Sequence, residues 1–107
     1  MTAPIAKREL TGVRANGERF PITITIDAPY SLNDTNGNWR CSVSVTPLCH
    51  HPFEIGGFDS MQALSLAVYF AHTQLADFVQ RGGRLLFPGT DDDFLLEESA
   101  ASLGPRL

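Results

Sequence analysis

The chain has 107 residues, of which 43% are hydrophobic and 19% charged, which is the composition of one folded domain rather than of a disordered segment. Its formal net charge is −4. Residues 1–90 carry seven acidic and seven basic side chains, so the acidic excess lies in residues 91–107. No basic stripe is present, which argues against a nucleic-acid partner.

Neither a secretory signal nor a membrane-spanning segment is expected. The first eight residues contain no apolar run behind a basic patch. The longest apolar stretch, residues 66–71, is far shorter than the roughly 20 residues that a spanning helix needs. We therefore expect a cytoplasmic protein in which Cys41 and Cys49 are free thiols.

Two runs alternate between apolar and polar residues and predict antiparallel strands over residues 20–27 and 39–46. Asn16-Gly17, before the first run, is typical of a type I′ hairpin turn. The pattern leaves residues 28–38 as a loop. Residues 5–13, 48–55 and 84–87 are weaker candidates for further strands. The apolar members of the two clear runs are Phe20, Ile22, Ile24, Ile26, Trp39, Cys41, Val43 and Val45.

The clearest element is a helix over residues 59–81. Asp59 is a good N-cap, and Gln62 is placed to bond back to the Asp59 amide. Gly82-Gly83 supplies the left-handed conformation that commonly ends helices. The predicted core stripe is Met61, Leu64, Val68, Ala71, Leu75 and Phe78, widened by Ala63, Ala67 and Val79.

These elements predict an α+β fold: a three- to four-stranded antiparallel sheet with the helix at about 59–81 packed across one face. We expect one domain over residues 1–90 and an acidic C-terminal tail over residues 91–107.

A second apolar flank on the helix, formed by Leu66, Tyr69 and Phe70, exceeds what packing on a single sheet requires. Either a partner covers this flank, often a second copy of the chain, or the chain's own segments 85–87 or 94–96 cover it.

No metal, cofactor or catalytic residue is predicted. The candidate metal ligands Cys41, Cys49, His50 and His51 lack the paired spacing of zinc sites. Residues 91–93 lack the pattern of a calcium loop. The chain is therefore expected not to be an enzyme. The alternative is a small ligand-binding domain or enzyme that uses loop 46–58, where Cys49, His50, His51 and Glu54 cluster.

Two motifs, Trp39-Arg40-Cys41 and the run from Gly57 to Leu64, follow the patterns W-x-C and G-x-D-S-x-Q-A-L. They resemble a family of small uncharacterised bacterial proteins, over about residues 8–87. The resemblance implies a small bacterial α+β protein and assigns no activity to any residue.

The leading hypothesis is a non-catalytic bacterial protein-binding module, immunity- or antitoxin-like, with a basic partner. An acidic segment would speed association with such a partner by electrostatic complementarity. A structural homo-oligomer, such as a homodimer through the helix flank, is a further alternative. The candidate contact residues are Asp91, Asp92, Asp93, Glu97 and Glu98, with Tyr69 and Phe70 as anchors.

Overall fold

The computed structural model describes residues 4–33 and 37–96. Within them, six strands form one antiparallel sheet and a single helix crosses one face, which confirms the α+β class. The predicted count of three or four strands is too low. The elements in chain order are β1 (Pro4–Val13), β2 (Arg19–Asp27), β3 (Tyr30–Ser31), β4 (Trp39–Thr46), β5 (Phe53–Gly57), α1 (Ser60–Gln80) and β6 (Arg84–Leu86).

The sheet runs in the order β5-β4-β2-β1-β6, and the short β3 pairs with the start of β4 on the same side as β2. Val43 of β4 therefore has Ile26 on one side and Phe53 on the other. One of the weaker strand candidates, residues 5–13, forms β1, which lies inside the sheet between β2 and β6. The short β3 falls within the predicted loop 28–38 and pairs with the start of β4. Strands β5 and β6 thus form the two lateral edges.

The turn between β1 and β2 differs from the predicted type I′ turn. Only Gly17 of the Asn-Gly pair has a positive φ, of 90°. The Gly17 amide donates to the Arg14 carbonyl at 2.8 Å, and the Arg14 amide donates to the Glu18 carbonyl at 2.8 Å. The hairpin is therefore one residue longer than a two-residue turn, with Gly17 in the left-handed position of a bulge.

Helix α1 begins at the predicted cap. The Asp59 carboxylate accepts from the Gln62 amide at 2.7 Å. The Gln62 side chain does not bond back to the Asp59 amide as predicted; it accepts instead from the Phe58 amide at 2.8 Å. Each of these bonds satisfies an amide at the start of the helix that no helical carbonyl could reach.

The helix ends at the predicted glycines. Gly82, with φ of 97°, donates to the Val79 carbonyl at 3.0 Å. The Gly83 amide donates to the Phe78 carbonyl at 3.1 Å. These two bonds define a Schellman motif, which satisfies carbonyls at the helix end.

The core lies between α1 and the sheet, but the buried helix stripe is rotated from the predicted one. Met61 is 77% exposed, so its assignment to the core was wrong. The stripe runs instead through Ala63, Ala67, Ala71, Leu75 and Phe78. These pack on residues of the sheet: Leu10, Ile22, Ile24, Ile26, Cys41, Val43, Val45 and Leu85. The small Ala63 side chain fits the close approach of the helix start to the sheet at Gly57.

The chain after β6 turns back along that strand. Leu86 forms a bridge with Asp93, and the Phe94 amide donates to the Leu85 carbonyl at 2.8 Å. The Phe94 ring meets the Phe87 ring edge to face at 5.5 Å. Residues 91–96, which the sequence places in the acidic tail, therefore contact the sheet.

In the part of the chain that the structure describes, no helix is both long and apolar enough to cross a membrane.

Candidate functional site

The exposed side of α1 carries no formal charge before Asp77 and presents several large apolar side chains. Residues 60–76 contain no Asp, Glu, Lys or Arg. Within and just before this stretch, four large apolar side chains face water: Phe58 (68% exposed), Met61 (77%), Leu66 (41%) and Tyr69 (65%). We call these four residues the outer helix face. A helix packed on a sheet ordinarily carries charged and polar residues on its solvent side, so this surface is unusual.

The two predicted anchors on the helix have different environments. Phe70 is half-buried, and its ring lies 4.8 Å from that of Phe53 in β5. Phe53 in turn contacts the ring of His51 at 4.7 Å. Tyr69 and Leu66 remain exposed, so neither segment 85–87 nor segment 94–96 covers them. The chain itself partly covers Phe70, which leaves Tyr69 as the accessible anchor.

The sheet edge next to these residues is open. No described residue continues the sheet beyond β5, whereas the opposite edge, at β6, is bridged by Asp93. On the face of the sheet away from the helix, Glu54 of β5 accepts from the Tyr30 hydroxyl at 2.8 Å. This hydrogen bond raises the pKa of Tyr30.

Arg40 of β4 lies beside the same edge. Its cross-strand neighbour is Gly56, and its Nη1 lies 3.1 Å from the point that a Cβ on Gly56 would occupy. The same Nη1 donates to the carbonyl of Trp39 at 3.1 Å. The guanidinium therefore lies over a glycine at the outermost strand of the sheet.

The predicted acidic contact residues are partly neutralised within the chain. Asp91 pairs with Arg19 at 2.9 Å, and Asp93 pairs with Arg84 at 2.9 Å. All four side chains are more than half exposed, so each pair stabilises the fold only weakly. Arg19 lies 72 residues from Asp91 in sequence and Arg84 lies nine residues from Asp93, so neither pair has the three- or four-residue spacing that sequence reasoning recognises. Glu97 and Glu98 lie outside the described residues.

The residues of loop 46–58 do not converge on one point. The Cys49 thiol donates to the Gln74 side chain at 3.5 Å, and burial raises the pKa of that thiol. His50 is exposed, and Glu54 lies on the opposite face of the sheet from α1, bonded to Tyr30. Across residues 4–33 and 37–96, no three His, Cys, Asp or Glu side chains are placed to hold a metal ion.

Cys41 lies in the core, as predicted. It is fully buried, and its thiol donates to the Asp27 carbonyl at 3.3 Å. Burial raises the pKa of Cys41 above that of an ordinary thiol, with smaller contributions from the negative charges of Asp27 and Glu54. Because the thiolate is the reactive form, this environment suits a structural cysteine.

A groove of about 650 Å³ lies between the C-terminal half of α1 and residues 93–96. Its walls are mainly apolar, with Val79, Leu85 and Phe94 among them. The charged residues that line it, Arg84 and Asp93, are bonded to each other. The groove therefore offers packing surface but no cluster of reactive side chains.

The fold and surface define a class of protein: a small α+β domain with one long helix across an antiparallel sheet. Residues 6–96 match the model of a family described as a domain of unknown function (DUF6968). The match covers most of the chain, and the protein belongs to this family. The predicted resemblance to an uncharacterised family is thereby confirmed. No curated protein and no solved structure matches the chain.

Proposed function

We propose that the protein is a non-catalytic protein-binding module and that the outer helix face is its contact surface. The observation that carries this proposal is the charge-free stretch of α1, residues 60–76, with Met61, Leu66 and Tyr69 turned toward water. Phe58 adjoins it at the start of the helix. This composition resembles that of the cores of protein interfaces, which are depleted of charge and enriched in Tyr, Phe and Met.

Energetics favour a partner on this surface. Burying one large apolar side chain fully is worth about 1.5–3 kcal/mol. Four such side chains along the start of one helix therefore offer a partner a substantial gain, less the cost of association. Tyr69 is of the residue type most often found to dominate binding energy, and its ring is already held on a rigid helix.

The acidic residues 91–93 are weaker candidates for a contact surface than the outer helix face is. Asp91 and Asp93 are each paired with an arginine of the sheet, which reduces the field that a basic partner would encounter. The immunity- or antitoxin-like version of the function, with a basic partner, stays a prediction. So does the alternative of a ligand-binding or enzymatic site in loop 46–58.

The test uses the full chain, carrying an affinity tag, expressed in its native host. Tyr69→Lys places a charge at the middle of the outer helix face. Gln80→Lys adds the same charge at an exposed position on the last turn, outside the charge-free stretch. We expect proteins held by the wild type, including untagged copies of the chain, to remain with Gln80→Lys and to be lost from Tyr69→Lys.

A third variant, with Asp91, Asp92 and Asp93 changed to Asn, separates the helix from the acidic segment. The proposal is overturned if Tyr69→Lys holds every partner as strongly as the wild type does. Loss of partners from the triple variant alone would assign the contact to the acidic segment instead.

A further inference from the structure

We infer that the partner is a second copy of this chain, joined edge to edge through β5 about a twofold axis centred on Ile55. This inference rests on the proposed function, because the same pairing brings the Leu66 and Tyr69 side of the two helices together. It adds a partner, a register and an ion pair that the proposed function does not require.

The two edges of the sheet differ in whether another segment of the chain pairs with them. An edge strand presents unpaired amides and carbonyls that another strand can bond. The outer side of β6 is occupied by the chain itself, through Asp93 and the bond from the Phe94 amide to the Leu85 carbonyl. No strand among the described residues pairs with the outer side of β5. One edge is therefore closed and the other is available.

The sequence of β5 complements itself. In an antiparallel pair centred on Ile55, Phe53 lies opposite Gly57 of the second copy and Glu54 lies opposite its Gly56. Phe53 and Glu54 thus each face a glycine, and Ile55 lies opposite Ile55 of the second copy. A register centred on Glu54 would place two carboxylates directly opposite each other, which destabilises a strand pair. Of these two registers, the side chains of β5 favour the one centred on Ile55.

Charge complements the same register. Arg40 lies over Gly56, with Nη1 3.1 Å from the position of a Cβ there. A Glu54 side chain from the second copy, opposite Gly56, would reach that guanidinium. Arg40 donates one bond to a backbone carbonyl, and a guanidinium has five N–H groups. Twofold symmetry forms the Arg40–Glu54 pair twice, once on each side of the axis.

The position of the helix agrees with this arrangement. Phe70 of α1 packs on Phe53 of β5, and Leu66, four residues earlier, projects on the same side. Around Phe70, helix α1 lies over β4 and β5. Because neighbouring strands are about 4.8 Å apart, the two helix axes would be about 10 Å apart. Packed helices lie at roughly that distance, so each Leu66 would be covered by the other helix.

The experiment uses two single-charge reversals of the full chain, Glu54→Arg and Arg40→Glu. In either variant alone, both cross-interface pairs become like-charged, and we expect the dissociation constant of the dimer to rise about tenfold or more. When the two variants are mixed, a heterodimer has two opposite-charge pairs. Sedimentation velocity over a concentration series, with native mass spectrometry to tell the variants apart, should show the dimer restored on mixing.

Glu9→Arg is the matched control. Glu9 is exposed on the same face of the sheet, on β1, away from the β5 edge. Its reversal should leave the dimer unchanged. Circular dichroism and thermal unfolding of each variant establish that the monomer is folded, so that a loss of dimer reports the interface.

The outcomes separate the inference from the proposed function. A wild-type chain that stays monomeric at every concentration overturns the inference, and the proposed function survives if another protein is held through Tyr69. A dimer that resists both reversals, or that is not restored on mixing, overturns the β5 pairing. A monomer that holds no other protein overturns both.

Discussion

At Gly57 the sheet lies very close to the backbone of the helix. A Cβ at this position would lie 2.5 Å from the amide nitrogen of Ala63 and 2.9 Å from its Cα. Both are backbone atoms, so no rotamer change could make room. The glycine is needed here for space, and it explains why Ala63 and Ala67 face the sheet where larger side chains would hold the helix away.

Gly57→Ala should therefore destabilise the protein by about 2 kcal/mol, the usual cost of overpacking a core. Gly56→Ala is the matched control, because the closest atom to its Cβ would be the end of the flexible Arg40 side chain, at 3.1 Å, and its nearest backbone atom would be at an ordinary 4.0 Å. Urea unfolding of the two variants, followed by far-ultraviolet circular dichroism, measures both costs. Equal costs for the two glycines would contradict the steric argument.

At the scale of elements, the helix was predictable because its signals are local. Asp59, Gln62 and Gly82 act within a few residues of themselves, and the structure places the helix ends where they predict. Its rotation was not predictable. Hydropathy favours Met61 over Ala63 as a core residue. Because the helix approaches the sheet closely at Gly57, the smaller Ala63 is buried and Met61 is exposed.

The candidate site also has one part that the sequence predicts and one that it does not. The apolar flank at Leu66 and Tyr69 was visible in the sequence, since its excess follows from counting apolar positions around the helix. The open edge of β5 and the placement of Arg40 over Gly56 were not visible. Both features depend on which strands pair and in what register. No pattern in the sequence indicates that residues 40 and 56 are neighbours.

Segment 91–96 is held against β6 by packing and backbone bonds more than by ion pairs. Phe94 packs against the core, contacts Phe87, and has the guanidinium of Arg8 5.0 Å from its ring centre. The exposed pair of Asp93 with Arg84 is worth less than about 1 kcal/mol. A half-buried phenyl group is worth about 2 kcal/mol.

We therefore expect Phe94→Ala to lower the free energy of unfolding by about 2 kcal/mol and Asp93→Asn to lower it by less than about 1 kcal/mol. Urea unfolding measures both. Limited proteolysis adds a local readout, because cleavage near residues 88–96 should accelerate in Phe94→Ala and stay near the wild-type rate in Asp93→Asn. A larger effect from Asp93→Asn would assign the role to the ion pair.

At the scale of the whole molecule, charge is spread over the surface and the core holds none, since no polar or charged residue is buried among those described. One titratable side chain close to the core is His72, which is half-buried on α1. Burial lowers the pKa of His72 below its ordinary value of 6.5, and the positive charge of Arg8 on β1 lowers it further.

This shift sets the direction of a pH dependence. Below pH 6.5 the unfolded chain binds a proton at His72 that the folded chain resists, so the unfolded state gains stability as the pH falls. The free energy of unfolding should therefore decline as the pH is lowered from 7.5 toward 5.5. His72→Gln should flatten this decline. Urea unfolding at fixed protein concentration, repeated across this pH range, measures the slope for the wild type and for the variant. A wild-type slope that survives in His72→Gln would assign the dependence to another group.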